Sequence, residues 1–186
     1  MLRNVEATRR LDASRDLLFA VLTDYDRYRE WLPGIEQSRV LAREGDIVVA
    51  EFKATHYGPE RVALEFIHSP PVSIRYSQVE HYGKPDIAGR WELNDPAEGS
   101  GVAVKAAIRL NTPLFTFRSR RLMRASLGEA LAALAKRSTE LAAGEVAEAP
   151  TERRKILEVL RRPEGLEIWY LGESYMLTKA RGPRRG

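Results

Sequence analysis

The 186-residue chain has no cysteine. That absence excludes structural disulfides, a thiolate nucleophile, zinc-thiolate sites and cysteine-held iron–sulfur clusters. Redox chemistry would need a bound cofactor, and no motif calls for a cofactor or a metal. Long hydrophobic runs are also missing: no stretch approaches the roughly 20 apolar residues that span a bilayer. The first residues, MLRNVEATRRLDASRDLLF, break every apolar run with charge, so no signal-peptide core can be drawn there and a cytoplasmic protein is expected. No glycine-rich phosphate loop, G-x-S-x-G elbow, H-E-x-x-H helix, internal repeat or low-complexity segment is present. Arginine- and alanine-rich usage fits a bacterial source.

What is present suffices for one sizeable core and a small appendage, since 44% of the residues are hydrophobic. The net charge of +4 is unevenly placed. Residues 1–111 carry 15 basic and 17 acidic side chains, whereas 112–140 carry 6 and 2 and 151–186 carry 9 and 5. The positive excess of the last third permits contact with an anionic partner, whether RNA, ribosome or lipid headgroups; a solvated helix face explains it equally simply.

Residues 3–11 alternate loosely, and Asp12 or Ser14 then caps a helix whose stripe is Leu17, Leu18, Val21 and Leu22. A second short helix over 25–31 stops at Pro33-Gly34, because proline cannot continue it and glycine accepts a left-handed turn. From Ile35 to Asn111 the apolar period becomes two. Strands are predicted at 35–43, 47–57, 61–68, 72–81, 87–94 and 102–110, with breaks at turn residues such as Gly58-Pro59 and Gly83-Lys84-Pro85. Short connections imply an antiparallel meander. One face is apolar: Val48, Ala50, Phe52 and Ala54, then Val62, Leu64 and Phe66, then Ile74, Trp91 and Leu93, then Val102 to Leu110 at every second position. Such a face needs a cover. Thr112-Pro113 reads as a helix cap with proline at the first helical position, and nothing breaks that helix before Gly144. Its stripe includes Leu122, Met123, Leu127, Ala130, Leu131, Leu134 and Leu141. The expected fold is therefore α+β, a curved antiparallel sheet wrapped around a long C-terminal helix over 1–144. The extension 145–186 reads as a linker, a short helix over 151–162, a hairpin turning at Gly172-Glu173 and a basic tail.

The order strand, two helices, six strands, long helix resembles the helix-grip order of the START-like (SRPBCC) superfamily. The resemblance tightens at Val21 to Ile35, where Asp24, Tyr28, Trp31, Leu32 and Pro33 match the D-x-x-x-Y-x-x-W/F-L-P entrance of the polyketide cyclase and lipid-transport branch. That branch includes the coenzyme Q-binding START proteins and the bacterial ribosome-association toxin. It covers roughly residues 2–143 and implies a hydrophobic cavity between sheet and helix. Gly34-Ile35-Glu36 stands where quinone-binding members typically carry an aromatic and a cysteine, and the chain continues some forty residues past the long helix.

A ligand in such a cavity would meet Trp31, Phe52, His56, Leu64, Phe66, His68, Ile74, Tyr76, Gln78, Trp91, Leu93, Leu122, Met123 and Ser126. His68, Tyr76 and His56 are the candidate acids or bases; a lone inward histidine is more often a satisfied core residue. Tyr76 or Gln78 could orient a carbonyl or hydroxyl. Arg118, Arg120, Arg121 and Arg124 are candidate anion contacts, because cations in the early turns of a helix oppose its dipole. The leading expectation is a protein that binds or transports a hydrophobic small molecule, such as an isoprenoid quinone, a lipid or a polyketide-like aromatic. An aromatic polyketide cyclase or dehydratase is the enzyme alternative. A ribosome- or RNA-associated protein is the interaction alternative, with membrane contact through the same basic surface and a homodimer through the extension as further partner expectations.

Overall fold

The computed structural model describes residues 3–55, 61–79, 86–96, 99–111, 117–144, 158–162, 165–170 and 173–178. Strand β1 (Arg3–Leu11) leads to helix α1 (Arg15–Thr23). Of the two capping candidates Ser14 holds the position: its backbone is extended and its hydroxyl accepts from the Leu17 amide, satisfying one of the four orphan donors of the first turn. α1 buries Leu18, Val21 and Leu22. A 3-10 turn (Tyr25–Arg27) and the one-turn helix α2 (Tyr28–Trp31) follow. Gly34 then takes φ 82°, the left-handed conformation that turns the chain into the sheet after Pro33.

Strands β2 (Ile35–Glu44), β3 (Ile47–Ala54), β4 (Arg61–Ser69), β5 (Ser73–Gln78), β6 (Asp86–Asn94) and β7 (Val102–Asn111) form the meander. With β1 added beside β7 the sheet has seven antiparallel strands in the order β1-β7-β6-β5-β4-β3-β2. Two register shifts in β2, at Ile35/Gln37 and Val40/Ala42, are the kind of irregularity that bends a strand. Asp26 stitches the 3-10 turn to the second of them, its Oδ1 accepting from the Val40 amide at 2.7 Å.

Helix α3 (Phe117–Ala142) packs on β1, β7 and α1. Met123, Leu127, Ala130, Leu131, Leu134 and Ser138 are buried, following the 3.6-residue period. The helix cap expected at Thr112-Pro113 lies outside the described residues. No described helix is long and apolar enough to cross a membrane.

A second, three-stranded antiparallel sheet comprises β8 (Glu158–Arg162), β9 (Gly165–Tyr170) and β10 (Glu173–Thr178). β9 and β10 are the two arms expected around Gly172-Glu173, with Trp169 opposite Ser174. The helix expected over 151–162 is corrected in its second half: Glu158–Arg162 pairs with β9, Val159 facing Ile168. Ile156, Leu157 and Leu160 have helical spacing, but so short an apolar run does not settle period, and a neighbouring strand decides it. The first half of that helix, the linker and the basic tail lie outside the described residues.

Candidate functional site

Register brings the inward side chains into cross-strand rows. Val48, Phe66, Tyr76, Gly89 and Ile108 align across five strands, and Ala50, Leu64 and Gln78 form the next row. Toward one end of the sheet this face is not fully covered, leaving a cavity of about 160 Å3. Its sheet wall is Phe52 and Ala54 of β3, Val62, Leu64 and Phe66 of β4, Tyr76, Ile87, Trp91 and Ile108. Tyr28, Leu32 and Ile35, from the Tyr28 to Ile35 stretch of the entrance motif, close the other side. The wall carries no carboxylate, histidine or cation among the described residues. Its two hydroxyls are turned to backbone: Tyr28 Oη donates to the Leu22 carbonyl at 2.5 Å, and Tyr76 Oη donates to the Ala107 carbonyl at 3.5 Å. Burial pushes the Tyr28 phenol pKa well above its ordinary value. Gly89 faces Tyr76 directly, and a Cβ there would collide with the Tyr76 hydroxyl and the Ala107 carbonyl. Glycine is what lets the tyrosine ring lie across β6 to reach β7.

The expected site residues divide into several groups. Phe52, Leu64, Phe66, Tyr76 and Trp91 are in the cavity wall. Ile74 and Leu93 are fully buried in the core beyond it. Gln78 is corrected from a cavity group to a sheet repair: its Oε1 accepts from the Ile87 amide at 3.1 Å, just past the last β5–β6 pair, Ser77 with Ala88. Trp31 is edge-on to Tyr28 at 5.1 Å but lines a separate cleft. Leu122 and Ser126 are corrected as well. Taking Met123 as reference at 100° per residue, they sit roughly 100° and 60° to one side, outside the arc that holds the buried positions. Leu122 is 67% exposed, Ser126 is exposed, and Met123 is buried in the core without reaching the cavity. His56 lies outside the described residues.

His68 is corrected from a cavity acid or base to a core residue. It stands two residues beyond Phe66 on β4, with its Nε2 and Tyr25 Oη hydrogen-bonded at 2.7 Å and the Phe19 ring edge-on at 5.8 Å. Burial lowers its pKa below the usual imidazole range; Arg43 adds to that and Asp46 opposes it. Burial likewise raises the Tyr25 phenol pKa, so the pair is neutral near pH 7.

The separate cleft, about 320 Å3, lies between α1 and the C-terminal part of α3 and includes Leu17, Asp24, Arg27, Trp31, Arg137 and Leu141. Arg137 is buried and donates to Glu30 Oε2 at 2.8 Å. Asp24 is half-buried; burial raises its carboxyl pKa, and Arg27 at 3.5 Å opposes the shift. Sequence reading missed Arg137, although its spacing from Ala130 and Leu134 puts it on the buried face. A wider groove, about 540 Å3, lies on the opposite face of the sheet over Ser77, Ala88 and Ala107, flanked by Arg75, Arg90 and Arg109. Its sides are charged, so the smaller inner cavity is the one suited to an apolar ligand. Among the described residues no group of three or more His, Asp or Glu could hold a metal ion. Arg120, Arg121 and Arg124 are exposed; the Arg118 side chain lies outside the described set.

A sequence model described as polyketide cyclase / dehydrase and lipid transport matches residues 3–139. Among solved structures the chain is similar to the Zhui aromatase/cyclase from Streptomyces sp. R1128 (TM-score 0.65, 18% identity, covering 76% of this chain and 96% of that one). It is similar to a START superfamily protein from Mycobacterium smegmatis (0.61, 17%, 74% and 98%). It is also similar to a STAR-related lipid transfer protein fragment from Xanthomonas axonopodis (0.61, 18%, 72% and 84%). At these identities the likeness establishes the fold. No curated protein matches the sequence.

Proposed function

The chain belongs to the polyketide cyclase/dehydrase and lipid transport family, and from that membership we propose that it is a carrier, binding a hydrophobic small molecule such as an isoprenoid quinone, a lipid or a polyketide-like aromatic. The observation that supports this most is the chemistry of the inner cavity: twelve wall residues, none of them acidic or basic, with both hydroxyls engaged by backbone carbonyls. A volume of about 160 Å3 suits one aromatic ring or a short prenyl or acyl segment. A ring that loses about 150 Å2 of apolar surface there gains about 4 kcal/mol at 25 cal/mol per Å2, before the cost of association. One ring alone therefore binds weakly, and a physiological ligand extends beyond the pocket.

Native mass spectrometry of protein purified from its expression host, followed by solvent extraction, tests this. A hydrophobic molecule should be carried by the native chain and lost from Leu64→Trp, whose indole fills the cavity. A native chain that carries nothing and takes up neither oleate nor a short-chain benzoquinone overturns it. The cyclase reading retains one supporting observation, the 3.5 Å Tyr76–Ala107 bond, long enough to be exchanged for a substrate carbonyl. Turnover of a poly-β-keto substrate that disappears in Tyr76→Phe would favour it over the carrier.

A further inference from the structure

Ala42 and Val49 are 3% and 1% exposed, although the register turns them to the outer side of the sheet, away from α3. Val49 alternates with Val48 and Ala50, which belong to the inner core cluster; neither Val49 nor Ala42 does. Further along the same outer face Arg75, Ser77 and Arg109 are exposed, as the outer side of a single sheet should be. Ala107 is buried there for a local reason, because its cross-strand neighbours Glu6 and Arg90 form an ion pair beside it. Val49 lies instead between Ala42 and Glu65, and the ion pairs of Glu51 with Arg39 and Arg61 stand one cross-strand row away. Ala42 is on the edge strand β2, so its burial calls for cover from beyond the sheet.

The C-terminal extension offers that cover. β8 contacts β2, and β8 is itself an edge strand of the three-stranded sheet. Register divides this small sheet unequally. Val159, Ile168 and Tyr175 form one row; Leu166 and Leu177, two residues along, share its face, and the charges on that face, Arg161 and Glu173, fall on the two edge strands. The opposite face has Glu158, Arg162, Glu167, Ser174 and Thr178 among its positions. Three short strands with one apolar face have nothing within themselves to bury it against. We propose that the C-terminal sheet packs face to face on the outer side of β2 and β3, its apolar row over Ala42 and Val49 of the same chain. Stacked sheets bury such rows at a separation of about 10 Å. The strands it covers carry Ile35, Phe52 and Ala54 of the inner cavity wall on their other side, so the docked sheet backs that wall. The inference does not depend on what the cavity binds.

Because the chain has no cysteine, a single introduced cysteine reports its own exposure to a charged maleimide. In the full chain Ala42→Cys and Val49→Cys should react at least about tenfold more slowly than Ser77→Cys. Ile168→Asp/Tyr175→Asp puts two carboxylates into the apolar row. It should raise both rates to about that of Ser77→Cys while Ala50→Cys, on the inner side, stays protected. Fast labelling of Ala42→Cys and Val49→Cys beside the native extension overturns the proposal, and so does slow labelling that survives Ile168→Asp/Tyr175→Asp. If Ala50→Cys is labelled as well, the double variant has unfolded, and a second measurement without disruptive changes decides. Glu158→Cys is combined with Gln37→Cys, with Glu44→Cys, or with Thr8→Cys on the opposite edge strand β1, and treated with a short bis-maleimide. A bridge within one chain is expected from a β2 position and not from Thr8→Cys. No bridge from either β2 position overturns the docking. A bridge that forms only between chains, and is lost on dilution, assigns the face to a second copy and overturns the proposal as stated.

Discussion

Replacing Tyr28 by phenylalanine removes one oxygen and leaves the ring contacts with Tyr25, Trp31 and Phe52, at 5.3, 5.1 and 5.5 Å between centroids. That oxygen has a defined duty. Leu22 lies in the last turn of α1, where carbonyls lack intrahelical N–H donors, and its carbonyl accepts from the Tyr28 hydroxyl at 2.5 Å in a wholly buried setting. Without the donor, a buried carbonyl goes unsatisfied, at a cost of about 1–3 kcal/mol. For a chain of this length that corresponds to a fall in melting temperature of about 3–10 °C. Urea and thermal unfolding followed by far-ultraviolet circular dichroism measure it, alongside titration with a short-chain benzoquinone. The cavity wall is unchanged in shape, so binding should stay within about twofold of native when measured well below the transition. A Tyr28→Phe chain as stable as native refutes the capping argument. Unchanged stability with lost binding would mean that the hydroxyl serves a ligand instead.

His68 makes stability depend on pH with a definite sign. Its folded pKa lies below the ordinary 6.5, so the unfolded chain takes up the proton first; the stability it contributes is complete above about pH 6.5 and declines as pH falls below that. Unfolding midpoints at pH 7.5 and 5.5 should therefore diverge less in His68→Gln than in the native chain, and an equal divergence excludes His68 as the source. The Arg137–Glu30 pair should respond asymmetrically, because Arg137 is buried while Glu30 is 41% exposed at its side chain. Glu30→Gln strands a buried guanidinium and should cost about 1–3 kcal/mol, whereas Arg137→Met frees a carboxylate that water can solvate and should cost less. The reverse order in urea denaturation would contradict the burial assigned to Arg137.

Much of the scaffold is legible in the sequence because local rules and the fold agree there. Period-two runs locate β2 to β7 within a few residues, Pro33-Gly34 marks the turn into the sheet, and the α1 stripe is the buried one. The cavity is less legible, since every second residue of six strands faces inward and the sequence does not say which ones α3 covers. That depends on α3 lying over β1, β7 and α1, which leaves bare the end bearing Phe52, Val62 and Leu64. His68 illustrates the same difficulty: its partner Tyr25 is 43 residues away, and no local pattern joins a strand-end histidine to a helix-turn tyrosine. Leu122 reads as part of the buried stripe by its apolar side chain, but its angle round the helix turns it out to 67% exposure. Gln78 is inward-facing by alternation but is taken up by a gap in the β5–β6 ladder that only the register reveals.

The inner face is divided by a row of rings. Tyr28 packs on Phe52 at 5.5 Å, Phe52 on Phe66 at 5.9 Å and Phe66 on Tyr76 at 5.6 Å, and Tyr25 backs Phe66 at 4.1 Å. On one side of the row stand Ile74, Leu93 and the Tyr25–His68 pair, all closely packed; on the other side is the cavity. Rings that hold one another in tilted and edge-on contact have little rotamer freedom left to lose, and the hydroxyls of Tyr28 and Tyr76 tether two of them to the backbone. A wall fixed in this way does not have to be ordered by the ligand, so apolar contact is not offset by wall reorganisation on binding. It also cannot reshape itself around a poor fit. Discrimination among ligands then follows from shape, with one methylene too many or too few in the ring-sized pocket worth about 1–3 kcal/mol, while polar substituents contribute little because the described wall offers them no uncommitted hydroxyl and no charge.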